Sequence, residues 1–168
     1  MVIHVLFDGV PGPIGGDDRV IVEGAGLDDV VRAATRAAAS ADRIELCGGL
    51  PVDVAAAIRE AVPAEVEVRV NRYGFESLEQ AAAYKEAFRS GDPGDAAFFY
   101  SAAVTTPLVQ HDGVLLAGVS GEADLATRVR EALSRGAGIV ELYAGLGVAA
   151  AAIAREASAH RLPVGFID

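Results

Sequence analysis

Short apolar runs alternate with striped, helix-like segments along this chain, and the pattern predicts an α/β protein. In the first half, strands are predicted at residues 2–7, 19–22, 43–47 and 66–70, and helices at 27–41 and 52–62. The second half predicts the same order, with strands at 96–100, 114–119, 138–143 and 164–167 and helices at 122–135 and 148–160. Strand-helix-strand segments favour right-handed crossovers, so parallel sheets covered by helices are expected.

The two halves also share residues in register. Residues 45–50 read Glu-Leu-Cys-Gly-Gly-Leu and residues 141–146 read Glu-Leu-Tyr-Ala-Gly-Leu. The matches continue as the pairs Val52/Val148, Arg59/Arg155, Glu60/Glu156, Asp28/Asp124 and Arg32/Arg128. Alanine-rich composition alone would not repeat Glu, Arg and Gly in register, so the pattern predicts a duplication. The predicted fold is two tandem β-β-α-β-α-β repeats, 1–74 and 96–168, related by a pseudo-two-fold and packed as one globular unit.

A charged helix predicted at 76–89 has no counterpart in the second half. Residues 91–94 (Gly-Asp-Pro-Gly) end it, so 75–95 is expected to be a connecting helix and linker. Two arrangements fit the pattern: two small sheets sharing an interface, or strands wrapped toward an irregular barrel. The first is favoured, because the chain has too few predicted helices for a regular (β/α)₈ ring.

Composition narrows the class of protein. The 168 residues are 52% hydrophobic with mean hydropathy +0.33, which is enough for a substantial core. No apolar run approaches the roughly 20 residues that span a bilayer and no leader precedes Val2, so a cytoplasmic location is expected. The net charge of -10, without a cluster of Lys and Arg, argues against nucleic acid as a partner. A small-molecule ligand is the expected partner, and a homodimer is possible.

Two phrases carry a family resemblance. Residues 44–50 (Ile-Glu-Leu-Cys-Gly-Gly-Leu) and 162–168 (Leu-Pro-Val-Gly-Phe-Ile-Asp) resemble an uncharacterised bacterial family of single-copy α/β domains. The resemblance covers each half separately and implies a fused pair of such domains, without an activity to carry over. Residues 41–47 also resemble one strand of the copper-homeostasis barrel family, but residues 50–53 depart from its Gly-rich segment, and copper is not inferred.

Glu45 and Glu141 are the most informative candidates, because each carboxylate stands in the middle of an apolar strand. Burial penalises the charged form of a carboxylate and moves its pKa toward the range useful for general acid-base catalysis. Two such groups related by a pseudo-two-fold could face one cleft. The alternative is that each Glu pairs with a nearby Arg or backbone group and only holds the turn that follows.

A Gly-containing turn follows each Glu and leads directly into a helix. Such turns expose backbone N–H groups that can cradle an anion, although glycine there also serves backbone freedom alone. The candidate ligand-binding residues at these turns are Cys47, Gly48, Gly49, Tyr143, Gly145 and Gly147. Cys47 is the only cysteine; it has no base beside it and no partner for a disulfide or zinc site, which favours a packing role.

The remaining candidates are polar residues at strand ends and turns. His111 is predicted at the tip of a turn and is the histidine favoured for catalysis. Arg72, Tyr73 and Asp168 follow the last strand of each repeat, where open α/β sheets bind ligands. The three histidines lack metal-type spacing, and neither GxGxxG nor a P-loop Lys is present, so no metal or cofactor is predicted.

These residues give two functional hypotheses. The first is a cofactor-independent isomerase, lyase or cyclase that acts on an anionic or carbonyl metabolite, with Glu45 or Glu141 as the acid-base group. The second is a noncatalytic α/β ligand-binding or assembly module, in which both Glu residues are structural.

Overall fold

The computed structural model describes all residues, 1–168, and has the predicted α/β class. It contains five α-helices and two separate sheets, one of five strands and one of six. The chain forms two compact units, Met1–Asn71 and Arg72–Asp168, here called unit 1 and unit 2. None of the helices has the length and apolar character required to cross a bilayer.

Unit 1 contains a mostly parallel sheet in the order β2-β3-β1-β4-β5, in which only the edge strand β2 is antiparallel. Helices α1 and α2 contact each other and so cover one face of this sheet. The elements are β1 (Ile3–Asp8), β2 (Gly12–Gly16), β3 (Val20–Ala25), α1 (Val30–Ala37), β4 (Arg43–Leu46), α2 (Val52–Ala61) and β5 (Glu67–Val70).

Alternation along the strands assigns side chains to the two faces of this sheet. Arg36 of α1 reaches Glu23 of β3, which places Glu23, its register partner Leu6 and, by alternation along β1, His4 on the helix-covered face. Glu45 is paired with Val5, which alternates in direction with His4 and Leu6, so Glu45 lies on the other face. Strand β2 was not predicted, because its Gly-rich sequence lacks an alternating apolar pattern.

Helix α1 is shorter than the predicted span 27–41. At its start, the Asp29 N–H bonds to the Gly26 carbonyl at 2.8 Å, and at its end the Ser40 N–H bonds to the Ala37 carbonyl at 3.0 Å. Both are i→i+3 bonds of the 3₁₀ type, and the Ala41 N–H also bonds to the Ala37 carbonyl at 2.9 Å in a closing turn. The alanine-rich composition, which favours helix, continues beyond the residues that form one.

Unit 2 has the strand order β6-β11-β10-β7-β9-β8, with antiparallel edge strands β6 and β8 and four parallel strands between them. Its elements are β6 (Arg72–Tyr73), α3 (Leu78–Arg89), β7 (Asp95–Ser101), β8 (Val109–His111), β9 (Val114–Val119), α4 (Glu122–Ser134), β10 (Ala137–Tyr143), α5 (Gly147–Ala157) and β11 (Val164–Phe166). Without β6, the strand order and directions of unit 2 are those of unit 1. Arg72, Tyr73 and the helix predicted as a connection therefore belong to unit 2.

Side-chain hydrogen bonds attach the start of unit 2 to helix α5, to the turn after it and to strand β11. Ser77 is fully buried, and its Oγ accepts a hydrogen bond from the Val164 N–H at 3.3 Å and another from Arg155 Nη1 at 3.3 Å. The Gln80 side chain donates to the His160 carbonyl at 2.6 Å. The Val164 contact ties Ser77, which follows β6, to β11, and Gln80 makes its contact from within α3.

A polar network fixes the connection from β7 to β8. Thr105 Oγ1 and Ser120 Oγ both donate to the Asp124 carboxylate, at 2.5 and 2.8 Å. Thr106 bonds through its backbone and its side chain to Gly118 of β9. The hydrogen bonds from Thr105, and next those from Ser120, hold the pKa of Asp124 below its ordinary value.

Candidate functional site

Glu141 lies on the face of the unit 2 sheet opposite helices α4 and α5. Its strand neighbours Val140 and Leu142 belong to the core cluster packed against α4 and α5. Successive side chains of a strand point to opposite faces, so Glu141 and Tyr143 point away from those helices. Glu141 is nevertheless only 3% exposed.

Both carboxylate oxygens of Glu141 accept hydrogen bonds from tyrosines. The Tyr73 hydroxyl donates to Oε1 and the Tyr143 hydroxyl donates to Oε2. Tyr143 is buried, and its ring meets Phe98 edge to face, with the ring centroids 5.5 Å apart. Tyr73 is partly exposed. We call Tyr73, Glu141 and Tyr143 the Tyr-Glu-Tyr cluster.

Strand register explains how Tyr73 reaches Glu141. Tyr73 of β6 is paired with Gly165 of β11, and Gly165 is paired with Glu141 of β10. Register partners share a face, so these three residues form one row across the sheet. Because Gly165 has no side chain, the Tyr73 ring can cross β11 and place its hydroxyl on the carboxylate.

The two tyrosine hydroxyls compensate for the burial of the Glu141 carboxylate, which would otherwise be unfavourable. A buried carboxylate is tolerated only when hydrogen-bond donors compensate for lost hydration, and two phenolic hydroxyls provide this. The same arrangement connects the buried Glu141 carboxylate, through the Tyr73 hydroxyl, to the partly exposed side chain of Tyr73. It can therefore act as a structural anchor or as a path for a proton.

The turn before α5 is occupied by the chain's own carboxylate. Ala144, Gly145 and Gly147 have φ values of +53, +88 and +60°, the left-handed region that favours glycine. Asp168 Oδ1 accepts a hydrogen bond from the Val148 N–H at 3.0 Å, in the first turn of α5. Asp168 therefore serves as the anion that this helix N-terminus was predicted to bind.

Glu45, the counterpart in unit 1, has a different environment. It is fully buried, and its Oε1 lies 3.4 Å from Arg43 Nη1. Arg43 also contacts Glu67 at 2.5 Å, and Arg69 contacts the same carboxylate. The hydrogen bond from Arg69, assisted by Arg43, holds the pKa of Glu67 below its ordinary value despite some desolvation. An arginine-rich network of this kind corresponds to the structural alternative for Glu45.

The turn after Glu45 holds three further predicted residues, Cys47, Gly48 and Gly49. The Cys47 thiol is free of any disulfide and buried, and the Cys47 backbone N–H bonds to the Leu6 carbonyl at 3.0 Å. Helix α2 then begins at Val52 without a side-chain cap. These contacts place Cys47 in the core of unit 1, where packing is its evident role.

The structure does not bring His111 or Arg72 to the Tyr-Glu-Tyr cluster. His111 ends the edge strand β8, and three strand spacings of about 4.8 Å separate β8 from β10. It was predicted at a turn tip, but the turn is Asp112-Gly113, whose φ values of +36 and +83° form a two-residue hairpin. Arg72 is exposed and alternates in direction with Tyr73, so it points to the opposite face.

Gly165 is the residue that sequence reasoning missed. A glycine inside a strand often marks a place where another group approaches the backbone closely, and this signal was present in the Val164-Gly165-Phe166 strand. What the signal could not give is the identity of the approaching group, since Tyr73 lies on a strand far away in sequence.

Comparison with known proteins gives no match to a protein-family model, a curated protein or a solved structure. No group of three or more His, Cys, Asp or Glu side chains is placed to hold a metal ion. The function must therefore be inferred from the Tyr-Glu-Tyr cluster and its surroundings.

Proposed function

We propose that the protein is a small-molecule enzyme, an isomerase or lyase acting on a carbonyl or anionic metabolite, with Glu141 as its base. The observation that carries this proposal is the pair of tyrosine hydroxyls on one buried carboxylate, one of them from the partly exposed Tyr73. Enzymes commonly place a proton-transfer group in such a desolvated, hydrogen-bonded setting.

Tyr73 passes the proton in this mechanism. Its oxygen accepts a proton from the substrate while its own hydroxyl proton moves to Glu141 Oε1. The electron pair of the broken substrate bond forms the new double bond of an enol or expels a leaving group. Return of the proton through the same path, to a neighbouring substrate atom in an isomerisation or to the expelled group in an elimination, restores the starting state of the enzyme.

Tyr143 positions the carboxylate. Its hydroxyl holds Oε2, and its ring is fixed against Phe98, so Oε1 stays directed at Tyr73. A carboxylate that cannot rotate needs little reorganisation when it accepts a proton. Tyr143 is therefore a positioning residue in this proposal, and it contacts the base rather than the substrate.

Screening a metabolite library for thermal stabilisation identifies the ligand, and proton exchange on that ligand in D₂O then tests the chemistry. Glu141→Gln and Tyr73→Phe are each expected to slow exchange by about 10²–10⁴-fold, because each breaks the proton path. Tyr84→Phe is the matched control, since Tyr84 lies on α3 beside Phe88. Full exchange in both Glu141→Gln and Tyr73→Phe would show that Glu141 is not the base.

The noncatalytic binding or assembly module remains the second candidate, and the Glu45 environment favours it. There the carboxylate is buried against Arg43, as expected for a structural ion pair. If Glu141 has the same role, Glu141→Gln unfolds the protein or lowers its stability without removing any activity. Comparing the unfolding free energy of this variant with its proton exchange separates the two functions.

We further infer that the two units arose by duplication of one domain with the order β-β-β-α-β-α-β. The shared strand order and the residues repeated around Glu45 and Glu141 support this. The pseudo-two-fold relation, a cytoplasmic location and a homodimer stay predictions.

A further inference from the structure

Unit 1 contains a cleft of about 440 Å³ that is separate from every residue discussed as a catalytic candidate. It opens at the carboxyl end of β3, where Gly24, Ala25 and Gly26 form one wall. Arg32 and Arg36 of α1 contribute to the opposite side. The volume is in the range of small-molecule sites, and carboxyl ends of parallel strands are where α/β sheets bind ligands.

Both arginines line the cleft from helix α1. They stand one helical turn apart on α1, so they share a face of that helix. Their side chains are 76% and 67% exposed. Arg32 pairs with Asp29, and Arg36 Nη2 lies 3.4 Å from Glu23 Oε1. Each guanidinium thus contacts a carboxylate and still has N–H groups directed to solvent.

The glycines leave the cleft open. A Cβ atom built on Gly12 or Gly26 would meet no other atom within 4 Å. The Gly26 backbone is outside the left-handed region, so a larger side chain fits there without strain. A larger side chain substituted at Gly26 would therefore occupy the cleft.

We propose that this cleft binds the anionic group, a carboxylate or phosphate, of a small metabolite through Arg32 and Arg36. Paired guanidinium forks match the oxygens of such groups, and the ligand replaces Glu23 and Asp29 as their partner. The chain carries a net charge of -10, which opposes nonspecific attraction of anions. The lining sets two arginines against the carboxylates of Glu23 and Asp29, so saturable anion binding requires both guanidinium groups to exchange these partners for the ligand. This proposal is independent of the role of Glu141.

Titration of the full chain with inorganic phosphate and, separately, with succinate tests the site by amide chemical shifts and thermal unfolding. We expect saturable shifts confined to residues around the cleft. The double substitution Arg32→Gln and Arg36→Gln is expected to weaken binding at least about tenfold. Arg89→Gln is the matched control, since Arg89 is equally exposed and ion-paired, on α3. Response to only one of the two probes identifies the anionic group.

Two further variants make the result specific. Gly26→Leu should abolish binding by filling the cleft. Glu23→Gln should strengthen binding by about two- to fivefold, because it removes the carboxylate that competes for Arg36. The proposal is overturned if neither probe saturates with the wild-type chain, or if the double arginine variant binds as well as the wild type.

Discussion

The Tyr73 hydroxyl contacts the Glu141 carboxylate across an intervening strand, because β11 lies between β6 and β10 and presents Gly165 at that point. The two residues are not neighbours in the sheet ladder. Their contact depends on a missing side chain as much as on the two groups that form it. The Tyr-Glu-Tyr cluster is therefore sensitive to a residue that makes none of its side-chain hydrogen bonds.

Gly165→Ala is expected to destabilise the protein by about 1–3 kcal/mol, because its methyl group would lie under the Tyr73 ring in a packed row. Urea unfolding measures this cost. The chain has no tryptophan and four tyrosines, so its fluorescence reports tyrosine environments. Release of Tyr73 from the quenching carboxylate should raise the emission. Gly26→Ala, where a Cβ meets nothing within 4 Å, should be nearly neutral. Equal effects at both glycines would contradict the crossing geometry.

Glu45 and Arg43 should behave as a buried ion pair in a double-mutant cycle. Arg43→Met removes a charged partner of the fully buried Glu45 and is expected to cost about 3–5 kcal/mol. Adding Glu45→Leu should restore part of this loss, so the double variant is more stable than the sum of single effects predicts. Arg36→Met, at an exposed pair, should cost less than about 1 kcal/mol. Additive single effects in urea unfolding would rule out the coupling.

His4 should make stability depend on pH. It is 7% exposed, and neither ring nitrogen has a hydrogen-bond partner. Burial lowers its pKa below the ordinary 6.5, although Glu23 opposes this shift. The unfolded chain therefore binds a proton more readily, and stability falls as the pH drops below about 6.5 toward the folded pKa, by at most about 1.4 kcal/mol per pH unit.

Urea unfolding at several pH values between about 7.5 and 5.5 measures this dependence. His4→Leu should remove this part of the acid sensitivity, because leucine suits a position beside Ile21 and Ile44 and does not titrate. His111→Gln, on an edge strand, should leave the wild-type slope unchanged. The explanation fails if the slope survives in His4→Leu.

Much of the architecture could be predicted from the sequence, because apolar periodicity records which faces are buried. It identified the strands that carry Glu45 and Glu141 and all five helices. Strands β2, β6 and β8 escaped prediction, since two to five residues with glycine or polar side chains give no alternation. The Asp112-Gly113 pair is nevertheless a sequence signal for the hairpin that joins β8 to β9.

The contacts within the candidate site were harder to predict from the sequence than the fold. Tyr73, Glu141 and Tyr143 were each predicted as site residues, but their meeting depends on β6 pairing with β11, which local sequence does not encode. Likewise, Asp168 was predicted at a ligand-binding edge, whereas it caps α5 through Val148. Both are long-range contacts, set by topology rather than by local propensity.

The pairing of β6 with β11 has a kinetic consequence. Tyr73 and Gly165 join opposite ends of unit 2, so their contact closes almost the whole unit into one loop. Closing a long loop costs entropy before any contact compensates for it, and such contacts slow folding. Strands β7, β9 and β10, with their helix α4, can associate earlier through shorter connections. The carboxylate of Glu141 should therefore acquire its Tyr73 partner among the last steps of folding, which makes that hydrogen bond a marker of the completed native state.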